Sequence, residues 1–216
     1  VYRPTYELYE YYVLLGVLNV VEELGFAAVK DTVREQLMTT FFESGLLDNT
    51  MVTLQKDNMR MDVIYEGMVE YNDDAALENG THFFSLETHR KPDIRIDLYL
   101  NEDDFWEYDS SFIIEVKYSP LYNIYNNYGK TKAMEQMLDY WGIMYADLKN
   151  ERKIFKRNTI EYVICVYPGD EQAPIRRNTA PGIFLQYYPS EKSEYVFDIV
   201  GKSEMMDLIG AWLEQK

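Results

Sequence analysis

The chain has 216 residues, with 21 Lys and Arg against 37 Asp and Glu for a formal charge of −16, and 47% hydrophobic and 15% aromatic side chains. Such a length and apolar fraction suit one domain spanning residues 1–216 with a sizeable core, and exclude intrinsic disorder and fibrous repeats. The surplus of acids excludes a protein that coats nucleic acid, because non-specific affinity comes from Lys and Arg displacing counterions from phosphates; any contact with DNA or RNA must be local.

The start, Val1-Tyr2-Arg3-Pro4, has neither an initiator Met nor the order of a signal peptide, so a piece of a longer protein is expected. Thr5 to Leu24 has helical spacing, with Leu8, Tyr12, Leu15, Val20 and Leu24 on one stripe, Thr5 as cap and Gly25 as stop. Apolar runs such as 13–21 and 162–167 fall short of the roughly 20 residues that cross a bilayer, and no membrane partner is expected. Residues 37–49 fit no single pattern. Met51–Gln55 and Met59–Tyr65 read as a hairpin turning at Lys56-Asp57-Asn58, and Asn72–Gly80 reads as a loop.

Asp93–Leu100 alternates Ile94, Ile96, Leu98 and Leu100 with polar neighbours, the period of a strand. Asn101–Ser110 reads as an acidic turn, and Ser111–Tyr118 as a strand apolar enough to be central. After a loop rich in Tyr and Asn at 119–129, the spacing predicts a helix from Lys130 to about Lys149. Thr159–Tyr167, Gly182–Tyr188 and Tyr195–Val200 read as strands, and Ser203 caps a last helix to Leu213. One crossover helix between buried strands predicts an α/β fold with a mixed sheet. No Gly-rich phosphate loop is present.

Cys165 is the single cysteine, which excludes an intramolecular disulfide framework and multi-Cys zinc, and makes a reducing cytoplasm the expected location. His82 and His89 are too few for a site built on imidazole, so a metal would be held by oxygen, as Mg²⁺ is. The pattern [Asp/Glu]-x-Lys occurs four times, but only Glu115-Val116-Lys117 lies in a predicted strand, where i and i+2 share a face about 6–7 Å apart. Two charges in a strand of Phe, Ile, Ile and Val need compensation, since unpaired buried charge costs several kcal/mol. The single Pro-Asp pair, Pro92-Asp93, heads the preceding strand, with 21 residues between Asp93 and Glu115, and a hairpin of that length sets the two side by side. Two carboxylates, a backbone carbonyl and a lysine suit a hard cation and the hydrolysis of phosphodiesters.

Pro92-Asp93 followed by Glu115-Val116-Lys117 resembles the PD-(D/E)XK nuclease superfamily. Gln136 and Tyr140, four apart on a helix, are similar to the QxxxY element of RecB-like members, and Tyr6-Glu7-Leu8-Tyr9-Glu10 is similar to the opening of McrBC-associated members. The resemblance implies a restriction-endonuclease-like core, αβββαβ. It implies Mg²⁺, with Mn²⁺ as substitute, held by Asp93 and Glu115 with a helix-one contact from Glu7 first and Glu10 second. Lys117 would orient the attacking water, with Gln136 and Tyr140 assisting. It further implies DNA as substrate, a restriction or defence system and an McrB-like NTP-driven motor as partner; a paired cut of both strands would require two active sites in proximity, as in a homodimer, and the sequence leaves the oligomeric state open. Lys130, Lys132, Arg176 and Arg177 are the local candidates for phosphate contacts.

Plainer readings stand beside these. Glu115 and Lys117 can form an ion pair at a sheet edge with Asp93 as a loop cap, Glu7 and Glu10 can be solvated helix residues, and Gln136 and Tyr140 can mark a helix boundary. Tyr118, Tyr122, Tyr125 and Tyr128 suit stacking on bases, or simple packing in a Tyr-rich chain. The rival function is a catalytically silent nuclease-fold module for protein assembly or nucleic-acid recruitment. An RNA-processing nuclease would share the site.

Overall fold

The computed structural model describes residues 4–39, 45–103, 105–149, 151–169, 173–190 and 198–216. In chain order these form α1 (Thr5–Glu23), β1 (Ala27–Asp31), α2 (Thr32–Thr39), β2 (Thr50–Lys56), β3 (Met59–Tyr65), α3 (Asp73–Glu78), β4 (Phe83–Phe84), β5 (Ile94–Glu102) and β6 (Phe105–Val116). Then come α4 (Leu121–Ile124), α5 (Lys132–Tyr140), β7 (Met144–Lys149), β8 (Arg152–Lys156), β9 (Ile160–Tyr167), β10 (Arg176–Asn178), β11 (Ile183–Gln186), β12 (Tyr188–Pro189), β13 (Ile199–Val200) and α6 (Lys202–Leu213). The fold is mixed α/β.

An eight-stranded sheet runs β1-β2-β3-β5-β6-β9-β11-β10. Strands β1 to β6 in that row pair antiparallel, while β6 with β9 and β9 with β11 pair parallel. Pleating divides the side chains between two cores. Phe112, Ile114 and Val116 of β6 pack with α1 and α6 on one face, and Ile113 packs with α4, α5 and Phe83 on the other. A three-stranded sheet, β4-β7-β8, covers part of that second face. No helix among the described residues is long and apolar enough to cross a membrane.

The β2–β3 hairpin forms as its sequence predicts, with Lys56 paired to Met59 and Asp57 at φ 51°. Other expectations need correction. Helix α1 buries Val13, Leu14, Val17, Leu18, Val20 and Val21 while Leu8 and Leu15 are exposed. The segment is apolar over most of its circumference, so its rotation is set by the sheet and α6 rather than by a stripe. Pro4 and Gly201, not Thr5 and Ser203, occupy the N-cap positions of α1 and α6, and neither makes a side-chain cap. Residues 73–78 are helical instead of a loop because Asn72 Oδ1 accepts the Ala75 N–H at 2.8 Å. The expected turn at 101–110 is mostly strand, tightening at Asp103, which takes φ 49°. The helix expected to reach 149 ends at Tyr140, and 144–149 is instead β7, paired to both β4 and β8. The strand expected at 195–200 is confined to Ile199–Val200, its residues 195–197 lying outside the described ones.

Candidate active site

Antiparallel pairing of Ile94 with Ile114 sets Asp93, at the head of β5, beside Glu115 near the end of β6. Asp93 Oδ2 accepts the Val116 N–H at 2.6 Å, and its carbonyl oxygen accepts the Glu66 N–H at 2.8 Å. Glu115 shares the face of Ile113 and pairs with Cys165 of β9, which leaves it 1% exposed. A carboxylate so buried needs partners. Tyr140, on the last turn of α5, donates its hydroxyl to Glu115 Oε2 at 2.6 Å. The Lys117 ammonium bonds Oε1, and the Lys117 N–H donates to the Val166 carbonyl at 2.8 Å. The Lys117 side chain keeps 28% of its surface open to solvent.

The electrostatics follow from this crowding. Burial, then the like charge of Glu115, pushes the Asp93 carboxyl well above its ordinary value against the pull of Lys117. Burial pulls Lys117 down, but the attraction of Glu115 and Asp93 outweighs it and the ammonium is held more firmly than usual. Tyr140 is driven up by burial and by Glu115, so it remains a phenol donor. Asp97 lies on the same strand face as Asp93 but is taken by Arg95 Nε at 3.0 Å and by the Ser111 hydroxyl at 2.5 Å. It is an internal counter-ion, and Asp93 is the acid left open.

Of the two helix-one acids, the structure brings Glu10 rather than Glu7 to this set. Glu7 accepts from the Tyr11 hydroxyl at 2.7 Å, one turn along its own helix. Glu10 accepts from the Tyr65 hydroxyl at 3.0 Å. Burial raises the Glu10 carboxyl, Glu66 and Glu115 raise it further, and Tyr65 and Lys117 oppose them. Gln136, one turn before Tyr140, is half-buried, and its side chain makes no hydrogen bond among the described residues. Lys130, Lys132 and Arg176 are exposed, and Arg177 lies over the Tyr125 ring with Cζ 5.2 Å from its centre. Sequence reasoning missed Lys91, which pairs with Glu66 at 2.9 Å and Asp48 at 3.0 Å beside Pro92-Asp93. It missed Tyr65 as well. The adjacency of Lys91 to the Pro-Asp pair was the one signal available.

Among the described residues no group of three or more His, Cys, Asp or Glu stands together as a ready cage for a metal. Asp93 and Glu115 provide hard oxygen donors, and Asp93 Oδ1 carries no hydrogen bond among the described residues. That suits Mg²⁺, which keeps several waters and takes one or two carboxylates plus substrate oxygens. The same crowding opposes folding at neutral pH. Because the Asp93 pKa is raised in the fold, its burial costs nothing below its unfolded pKa and costs progressively more as pH rises toward the folded one. Asp93→Asn keeps an acceptor for Val116 and sheds the charge. We expect it to gain on the order of 1 kcal/mol at pH 7 and nothing near pH 3, read by urea denaturation across pH. No family model, curated protein or solved structure matches the chain.

Proposed function

We propose that the chain is a metal-dependent nuclease that hydrolyses phosphodiester bonds in DNA. The observation that carries this reading is the meeting of Asp93 and Glu115 at one end of neighbouring strands, with Lys117 bonded to Glu115 and Tyr140 clamping its other oxygen. The PD-(D/E)XK resemblance supports it, as does the order α1, antiparallel β3-β5-β6, α5 and then β9 parallel to β6. A restriction-endonuclease-like core has that order.

Asp93 and Glu115 would hold the divalent ion, with Glu10 near enough to act on their charge. When bound, the ion supplies an acidified water and neutralises charge growing on the phosphate. Tyr140 fixes the orientation of Glu115, and a buried donor of this kind costs no reorganisation during reaction. Lys117, solvent-facing and firmly protonated, presents N–H groups to the attacking water or to a phosphate oxygen. A cleavage role in a restriction or defence system, an NTP-driven motor partner, a homodimer and a cytoplasmic location belong to the same proposal and rest on the resemblance and on Cys165.

The charge of −16 favours the second reading, a silent nuclease-fold module. Calorimetric titration of Mn²⁺ separates them, with Asp93→Ala and Glu115→Ala alongside and cleavage of plasmid DNA scored in the same buffer. Binding at about 1:1 that both substitutions abolish, with nicking that depends on Mn²⁺ or Mg²⁺, is the expected result. A folded wild type that neither binds the ion nor cuts would overturn the nuclease reading.

A further inference from the structure

The chain leaves the site through a loop whose shape is held from inside. Leu121 and Ile124 of α4 are buried in the core on the α5 side of the sheet, and Tyr125 packs on Phe184 with ring centres 5.1 Å apart. The Thr131 hydroxyl donates to the Ile124 carbonyl at 2.5 Å and accepts the Met134 N–H, fastening the loop to the start of α5. Asn126 Oδ1 accepts the Tyr128 N–H at 2.9 Å. With the apolar residues so used, Tyr122 and Tyr128 are left outside, 76% and 99% exposed, while the half-exposed Tyr118 rests against Tyr9 of α1 with ring centres 5.6 Å apart. Single exposed aromatics are ordinary on any surface. Two on one anchored loop that starts directly after Lys117, with Tyr118 half-exposed at its root, are a prepared surface.

The partner of this surface is set by charge. Duplex DNA keeps its bases stacked inside and offers about one phosphate charge per 1.7 Å, to be met by Lys and Arg. A chain of charge −16 with Lys130 and Lys132 exposed at the end of the loop meets few of them. A single strand has lower charge density and turns its bases outward, where aromatic rings take them regardless of sequence. Arg177, over the Tyr125 ring with a buried Nε that has no hydrogen-bond partner, adds a cation at the loop's inner edge.

We infer that the Tyr118–Tyr128 loop is a stacking platform that delivers single-stranded DNA to the Asp93–Glu115 site. The inference rests on the nuclease reading for its substrate class and adds the strand state. It is tested by fluorescence anisotropy in EDTA, with labelled dT20 and a 20-base-pair duplex as probes and wild type, Tyr122→Ala/Tyr128→Ala and Tyr122→Phe/Tyr128→Phe as proteins. The strand should bind at least about tenfold tighter than the duplex, and the double Ala variant should weaken it by about a hundredfold while the double Phe variant retains it. Duplex binding as tight as strand binding, no strand binding, or no loss in the Ala variant would overturn the proposal. Duplex cleavage in Mn²⁺ without strand preference would spare the nuclease reading and sink the platform. Tyrosine-dependent strand binding with no cleavage of either probe would do the reverse.

Discussion

Lys117→Met should lower Mn²⁺-dependent turnover by about a thousandfold and should also destabilise the fold, and the two losses should part company in a double variant. On the proposed nuclease reading, the turnover loss follows from removing a preorganised cation that would stand beside the reacting phosphate, a donor worth about 10²–10³ in rate. The stability loss has another source. Glu115 is 1% exposed, with one oxygen on Lys117 and the other on Tyr140, so removing the ammonium leaves a buried carboxylate half compensated, at a cost of roughly 3–5 kcal/mol. Adding Glu115→Gln removes the stranded charge and keeps an acceptor for Tyr140. Urea denaturation should therefore show most of the stability restored in Lys117→Met/Glu115→Gln, while turnover is not restored and falls further, because Glu115 is also a holder of the proposed ion. A double variant that remained as unstable as Lys117→Met would mean that Lys117 acts by packing rather than by charge. A Lys117→Met protein that cut DNA at the wild-type rate would remove Lys117 from the reaction.

The pairing of Asp93 with Glu115 was legible because strands announce themselves by a period of two, and because the two runs are close enough in sequence to be consecutive neighbours. The rotation of α1 was not. Its residues 13–21 are apolar except for Gly16 and Asn19, and contacts with β6 and α6 decide that Glu10 faces the cluster while Glu7 turns to Tyr11. Residues 144–149 failed for a related reason: Met144, Tyr145 and Leu148 satisfy a helical spacing and a strand equally, and pairing with β4 and β8 chose the strand. Lys91 was invisible as a partner because Asp48 and Glu66 reach it across long sequence separations. Tyr140 could be placed by its i, i+4 spacing from Gln136, yet the spacing alone does not say which of the two reaches Glu115.

The largest purely structural effect should come from Arg95→Met, at roughly 3–5 kcal/mol. Arg95 and Asp97 share a face of β5, and their side chains are 5% and 1% exposed. The guanidinium also lies over the Phe83 ring, with Cζ 3.9 Å from its centre, so it joins the strand to the smaller sheet as well as neutralising Asp97. Burial already raises the Asp97 carboxyl in spite of Arg95 and Ser111, and without Arg95 it should rise further. A folded pKa above the unfolded one means a cost that is absent below the unfolded pKa and grows as pH rises toward the folded value. The deficit of Arg95→Met should accordingly be largest at pH 7 and shrink as the pH falls toward 4, and Arg95→Met/Asp97→Asn should recover much of it at pH 7 while keeping an acceptor for the Ser111 hydroxyl. Equal deficits at both pH values would assign the loss to the Phe83 contact instead. The comparison bears on the site as well, because Asp93 and Asp97 are two acids on one strand face, the first partly and the second fully buried. Asp97 has both oxygens taken by an arginine, whereas Asp93, with Lys117 near it, has one oxygen on a backbone N–H and, among the described residues, no hydrogen bond on the other.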